Sequence, residues 1–358
     1  MLIDGKKRTA IWPDPNGEGV FIIDQTRLPH AVETVLLREL ADAARAIRDM
    51  QVRGAPLIGV TAAYGMALAM RADQSDETMS KAAEILRATR PTAVNLAWAL
   101  ARMTTFLGPM PEPLRRDAAF AFAKHLAEKD VACNEAIGEH GLALIRAAAE
   151  KRRGQPVRIL THCNAGWLAT VDWGTATAPI YKAQAAGIPL HVFVDETRPR
   201  NQGASLTAFE LGQQKVPHTL IVDNAGGHLM QRSEIDLALV GADRIAANGD
   251  VCNKIGTYLK ALAARDCGLP FYVAAPVSTL DFALAEGGLI PIEERAPDEV
   301  TFISGLADSG EVIQVRIAPR DTQARNPGFD VTPARLVSGI ITEKGVFDAR
   351  GQALAALA

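Results

Sequence analysis

The rhythm of apolar and polar positions changes near residue 157, and that change divides the chain into two unlike halves. In the first half, 8–12 and 19–23 read as short strands separated by the turn-rich P-D-P-N-G-E-G, with 32–37 as a third strand. Helical spacing then takes over. Within 38–51, Leu40, Ala43, Ala44, Ile47 and Met50 recur at intervals of three and four. R-G-A-P at 53–56 interrupts, and an apolar helix follows to about Met70. Asp76 and Glu77 open another helix, acidic where the helix dipole is positive, and 92–106 predicts one more. Pro109, Pro111 and Pro113 mark a loop. An Ala-rich helix then fills 114–153 and ends in K-R-R-G-Q-P, a basic last turn followed by Gly and Pro.

From 157 onward, short apolar runs recur at 157–162, 190–194, 219–222, 236–240 and 270–274. Each ends in a polar or Gly-containing tip, and several then enter a helical pattern. Strands alternating with helices specify βαβ units and a parallel sheet. Segments 311–317 and 336–342 read as further strands, six or seven in all. The expected fold class is therefore α/β. A small antiparallel sheet plus a helical domain, ending in a long linking helix, occupies 1–153. A Rossmann-like, mostly parallel sheet with flanking helices occupies 154–358.

Ligands of open α/β sheets bind beyond the carboxyl ends of the strands. If the runs lie parallel, that edge collects Cys163 after the first, Asp195 and Glu196 after the second, Asp223 and Asn224 after the third, and Asp243 after the fourth. Packing competes with chemistry at each position, because cysteine is among the most buried residue types and an Asp beyond a strand often caps the next helix. A thiol and several acids on one edge are together the stronger signal. Cys163 follows the run I-L-T and precedes W-L-A, which reads as the start of a helix, so the thiol falls at a strand-to-helix turn. His162 points to the opposite face from Cys163, which argues against a Cys–His nucleophile pair.

Two segments suit an anion. In R-G-A-P, Arg53 and Gly54 stand just before a Pro fitted to the first helical position, so free helix N–H groups and an Arg fork converge. N-K-I-G at 253–256 predicts a helix over 255–265 with Lys254 at its positive end, an unfavourable place for a cation unless an anion compensates.

Composition narrows the function classes. The 358 residues are 48% hydrophobic and 22% charged, with a formal net charge of −3, so no basic field points to nucleic acid or an anionic membrane. The four cysteines form no C-x-x-C pair and no zinc spacing, as expected of reduced thiols in a cytoplasmic protein. No signal-like segment opens the chain, and no uninterrupted apolar run approaches the ~18 residues that would span a bilayer. G-x-G-x-x-G is absent after the first strand, which reads C-N-A-G-W-L, so a dinucleotide cofactor has no support. No Walker motif or H-E-x-x-H occurs, and the seven histidines lack metal-ligand spacing. No cofactor and no metal are expected.

Several long motifs resemble those of the S-methyl-5-thioribose-1-phosphate isomerase family: T-H-C-N-A-G-W-L-A-T (161–170), V-D-E-T-R-P-R-N-Q-G-A-S-L-T-A-F-E-L (194–211), D-N-A-G-G-H-L-M (223–230) and G-A-D-R-I-A-A-N-G-D-V-C-N-K-I-G-T (241–257). R-G-A-P-L-I-G (53–59), T-R-P-T-A-V-N-L (89–96) and N-P-G-F-D-V-T-P (326–333) extend the match to nearly the whole chain. The wider family includes ribose-1,5-bisphosphate isomerases and non-catalytic regulatory subunits of a translation-initiation exchange factor. The resemblance implies an aldose–ketose isomerase of the methionine salvage route, acting as a homodimer on a pentose 1-phosphate. It implies Asp243 as proton donor and Cys163 at the reacting carbons. It implies Arg53, Gly54, Ala55, Arg90, Gln202, Asn253 and Lys254 as substrate-binding positions. Trp167, V-D-W (171–173), R-N before Gln202, and Ser205 depart from the commonest family pattern. They resemble a bacterial subgroup that also uses 5-deoxyribose 1-phosphate, and they mark Trp167 as the first place to look for substrate preference.

Overall fold

The computed structural model describes residues 1–350 and 352–357. Its central sheet has seven strands in the spatial order Gly345–Phe347, Gly339–Thr342, Phe271–Ala274, Leu237–Val240, Val157–Thr161, Leu190–Asp195 and His218–Ile221. All neighbours run parallel except the short Gly345–Phe347 strand, which turns back on Gly339–Thr342. The five apolar runs predicted from 157 to 274 are thus adjacent strands. Val157, Ile159, Leu160 and all of Leu237–Val240 are buried, as a sheet covered on both faces requires.

The chain winds outward from Val157–Thr161 through Leu190–Asp195 to His218–Ile221. It then crosses back to Leu237–Val240 and winds the other way. This reversal leaves a crevice between the carboxyl ends of Val157–Thr161 and Leu237–Val240, the place where doubly wound sheets bind ligands. Cys163 follows one of those two strands and Asp243 the other.

Two expectations change. Segment 311–317 does form a strand, Val312–Arg316, but it pairs with Phe302–Leu306 in a separate two-stranded ribbon. A β-branched run declares a strand without declaring its partner. W-L-A after Cys163 makes only a single 3₁₀ turn, Trp167–Ala169, and the next α-helix starts at Thr177. A second sheet of four strands, in the order Leu280–Asp281, Arg244–Ala246, Val251–Lys254 and Phe329–Thr332, lies beyond the crevice.

In the first half, strands Ile11–Pro13, Val20–Ile23 and Thr34–Leu37 form the antiparallel sheet. Helices Leu40–Arg48, Ala55–Ala72, Asp76–Thr89, Val94–Leu107 and Glu112–Arg152 follow. Helix Ala55–Ala72 is apolar and long enough to cross a bilayer by length and composition, although Thr61 and Arg71 interrupt its apolar run. Its residues are 83% buried inside the protein, where a central core helix is apolar all round. The 41-residue helix Glu112–Arg152 ends at Arg153, in the left-handed conformation. Gly138 and Gly141 let it approach helix Thr177–Ala185 closely: a Cβ on Gly141 would meet Pro179 Cγ at 2.3 Å. One hydrophobic cluster therefore runs from Ile22, Leu57 and Leu86 through Ile145 to Val157, Ile159 and Val192.

Candidate active site

Helix Ala55–Ala72 begins where the sequence puts a Gly before a Pro. Gly54 is the N-cap with φ +92°, and Pro56 sits in the first turn. Only glycine fits here, because a Cβ would lie 2.5 Å from the Ala169 Cα. That close approach brings the helix N-terminus of the first half against the Cys163 loop of the second. Among the described residues the amides of Gly54 and Ala55 donate to no protein acceptor, so they are available to an anion. The Arg53 side chain crosses between the halves. Its Nη1 donates to Asn164 Oδ1, and its Nη2 donates to the Asn164 carbonyl at 2.7 Å. Two of its five donors are thereby used and the rest remain.

Cys163 adopts φ +63°, rare for a residue with a Cβ. Its amide donates to Thr197 Oγ1 at 2.9 Å, its carbonyl accepts from Thr207 Oγ1 at 2.6 Å, and its thiol donates to Gln202 Oε1 at 3.4 Å. Burial pushes the thiol pKa up, and the nearby Arg53 and Lys254 charges only partly counter it. The side chain is a neutral thiol near pH 7 rather than a thiolate.

The second sheet supplies the opposite wall. The Asp243 amide donates to the Cys252 carbonyl at 3.0 Å, which fixes Asp243 at the start of the Arg244–Ala246 hairpin strand. Burial raises the Asp243 pKa against the lowering pull of Lys254, Arg53 and Arg90. Asn253 donates to Thr257 Oγ1 at 3.0 Å. Lys254 does not open a helix as N-K-I-G suggests. It ends strand Val251–Lys254, its ammonium donates to the Gly328 carbonyl at 3.0 Å, and it lies 4.4 Å from the Phe329 ring centroid. The helix proper is Thr257–Asp266, and the anion at its N-terminus comes from the protein: Asp330 accepts from the Gly256 and Tyr258 amides. The compensation argued for Lys254 is thus met elsewhere, and burial instead lowers the Lys254 pKa.

Two small cavities of about 30 and 40 Å³ lie in the crevice. Arg53, Gly54, Cys163 and Asp243 line both, Ala55 and Asn253 line the first, and Arg90, Gln202 and Lys254 line the second. All nine residues implied by the resemblance are therefore brought together. A larger cleft of about 290 Å³ adjoins them, sharing Met50, Arg53, Arg200 and Gln202 with the second cavity.

Several lining residues escaped sequence reasoning. Arg90 pairs with Glu293 at 3.2 Å, and Glu293 also pairs with Arg295. Arg295 lines the second cavity beside Met50 and Phe329. The E-E-R at 293–295 carries no periodic or motif signal, whereas Phe329 falls inside the N-P-G-F-D-V-T-P motif. Trp167 lines none of the three cavities. It is fully buried in the core, so its effect on substrate preference is at most indirect. Arg200, Asn201 and Ser205, which also depart from the family pattern, line the larger cleft, whereas Val171, Asp172 and Trp173 line none of the three.

Two of the acids at the strand tips are structural. Asp195 is buried against Lys260 at 2.9 Å and His162 Nδ1 at 3.1 Å. Asp223 accepts from the Thr197 and Arg198 amides. They hold the loops that shape the crevice. With Lys260 inside it, the His162, Asp195 and Asp223 cluster already contains a cation and does not suit a metal ion.

Comparison with known proteins agrees with this geometry. The model of the Initiation factor 2 subunit family matches residues 51–349. The methylthioribose-1-phosphate isomerase of Methylocella silvestris is 62% identical over 358 residues, covering 99% of this chain and 98% of that protein. The crystal structure of 5-methylthioribose 1-phosphate isomerase from Pyrococcus horikoshii superposes with a TM-score of 0.84 at 39% identity, covering 98% and 96% of the two chains. A structure titled translation initiation factor eIF-2B, subunit delta, from A. fulgidus reaches 0.79 at 39% identity, covering 96% of each chain. A chain that matches so many relatives over its whole length, and that carries thiol, acid and cations in one crevice, belongs to the Initiation factor 2 subunit family, in its methylthioribose-1-phosphate isomerase branch.

Proposed function

We infer that this chain is an aldose–ketose isomerase converting 5-methylthioribose 1-phosphate to 5-methylthioribulose 1-phosphate. The observation that carries the reading is its full-length, 62% identity to a protein of that name. The lining of the crevice supports a phosphorylated substrate, since Arg53, Arg90, Lys254 and Arg295 supply positive charge there and the free Gly54 and Ala55 amides suit phosphate oxygens.

The chemistry follows from the phosphate on the anomeric oxygen. An ordinary sugar opens its own hemiacetal, whereas a 1-phosphate needs an acid to protonate the ring oxygen as its bond to C1 breaks. Asp243, whose pKa burial raises, is that acid. Hydrogen then moves from C2 to C1 beside the neutral Cys163 thiol, and the C2 hydroxyl gives up its proton to replace the one Asp243 spent, leaving a ketone at C2. Arg53, Gly54, Ala55, Arg90, Gln202, Asn253 and Lys254 hold the phosphate and hydroxyl groups. Incubating the purified chain with methylthioribose 1-phosphate and following the ketose by phosphorus NMR tests the reading. A folded protein that leaves the sugar unchanged overturns it, in favour of a non-catalytic subunit.

The enzyme works as a cytoplasmic homodimer in the salvage of methylthio sugars, with 1–153 and 154–358 as its two domains. The names of its relatives support the methylthio-sugar setting, and the four free cysteines suit a reducing compartment. Light scattering should return twice the 38.2 kDa chain mass; the mass of a single chain at micromolar concentration rules the dimer out.

A further inference from the structure

The segment that carries Gln202 also carries a fully buried acid outside the catalytic set. Gln202 caps a π-helical turn, Gly203–Thr207, which continues as helix Ala208–Gln213 and places Glu210 beneath the Cys163 loop. Such π turns concentrate at functional sites. Glu210 has no cationic partner among the described residues. Its two oxygens accept only hydrogen bonds: from the Trp167 amide at 3.0 Å, the Leu168 amide at 2.9 Å, Asn164 Nδ2 at 2.9 Å and the Tyr181 hydroxyl at 3.1 Å. Gly166 leaves the room for it, since a Cβ there would lie 1.8 Å from Glu210 Oε2. Burying a carboxylate in this way is costly, and desolvation lifts its pKa to about 7 against the pull of these donors. An apolar residue would satisfy packing more cheaply, so the carboxylate calls for a function that packing does not supply.

The contact with Asn164 identifies that function. An amide side chain has one accepting and one donating end, and its direction is set by what each end meets. Glu210 and Thr207 Oγ1 both take the Asn164 Nδ2 end. Oδ1 is thereby turned to Arg53, where it and the Asn164 carbonyl grip both arms of the guanidinium. We propose that Glu210 is a positioning residue: it orients Asn164, which in turn aims Arg53 at the phosphate. This assignment rests on the isomerase reading for its substrate, but the aiming itself concerns any anion bound in the crevice.

The test measures the Kd of inorganic phosphate by calorimetry, together with KM and kcat for methylthioribose 1-phosphate, in the full chain and three variants. Glu210→Gln presents an NH₂ group to neighbours that are themselves donors. It should weaken phosphate binding and raise KM by at least ~10-fold, the scale of a hydrogen bond to a charged group, with kcat falling less. Asn164→Ala, which keeps Glu210, should give a similar loss. Because both act through one contact, the double variant should bind no more than about threefold worse than Asn164→Ala alone. Unchanged Kd and KM in either folded single variant overturn the proposal. Losses that multiply in the double variant, or that fall equally on kcat and KM, also overturn it and leave Glu210 a purely structural acid. Should Glu210→Gln fail to fold, Asn164→Ala alone decides by the same criterion. A parent chain that binds phosphate but turns over no sugar sinks the isomerase reading and leaves the positioning claim to the Kd values. A parent chain that binds no phosphate leaves Arg53 nothing to aim at and sinks the positioning claim itself.

Discussion

Asp243 lies under opposed influences: burial raises its pKa, while Lys254, Arg53 and Arg90 pull it down, and burial wins. A general acid works in its protonated form, so kcat should decline as pH rises past the Asp243 pKa, and burial moves that decline above the ordinary carboxylate range. Asp243→Asn removes the transferable proton yet keeps the shape, and Cys163→Ala removes the thiol at the reacting carbons. Each should lose at least ~100-fold in kcat, the lower end for acid–base groups. Steady-state assays of both variants, with folding checked by circular dichroism, decide this; near-parental turnover in either removes that residue from the mechanism.

At the scale of elements, the crevice depends on one helix start and one loop touching without side chains between them. Gly54 meets Ala169 backbone to backbone at a φ of +92°. Gly54→Ala adds a strained conformation and a clash that flexible side chains cannot relieve. It should cost at least ~2 kcal/mol of stability, on the scale of backbone strain plus overpacking. Urea denaturation reads this directly, and a midpoint within error of the parent would show that the two elements separate easily. The hairpin strands beyond Asp243 show the same dependence, since Lys254 owes its place to strand Val251–Lys254 rather than to the following helix.

For the whole molecule, the buried acids set a pH dependence. The Glu210 pKa stands at about 7 in the folded chain against an ordinary 4.5. The folded state therefore binds more protons than the unfolded state between those values, and stability falls as pH rises through that window. The contribution of Glu210 is on the order of 3 kcal/mol from its shift, and the raised Asp243 and Asp330 act in the same sense. Glu299, lowered to about 2, is ionised in both states above pH 6 and adds no slope there. His191, whose pKa is lowered, opposes the trend through its single half-exposed ring. Tm should accordingly drop between pH 5 and pH 8. A Tm that climbs across that interval contradicts the assignment of these acids. The continuous core from Leu57 to Val192 transmits such losses to both halves of the chain.

Much of this arrangement was legible in the sequence alone. Period-two and period-three-to-four patterns specified the strands and helices because burial of one face leaves its mark on every turn. R-G-A-P disclosed its helix start because Gly and Pro restrict the backbone locally, and the long motifs disclosed the family. Contacts distant along the chain left no such mark. The strand order that puts Cys163 and Asp243 on two sides of one crevice depends on which strands pair. The place of Arg295 beside Arg90 and Glu293, the core position of Trp167 and the anion Asp330 at the Thr257–Asp266 helix depend on packing between segments far apart in sequence. Local propensity reports what a segment becomes. Only the tertiary structure, by deciding what each segment meets, turned a buried thiol, an acid and an arginine from the other half into one site.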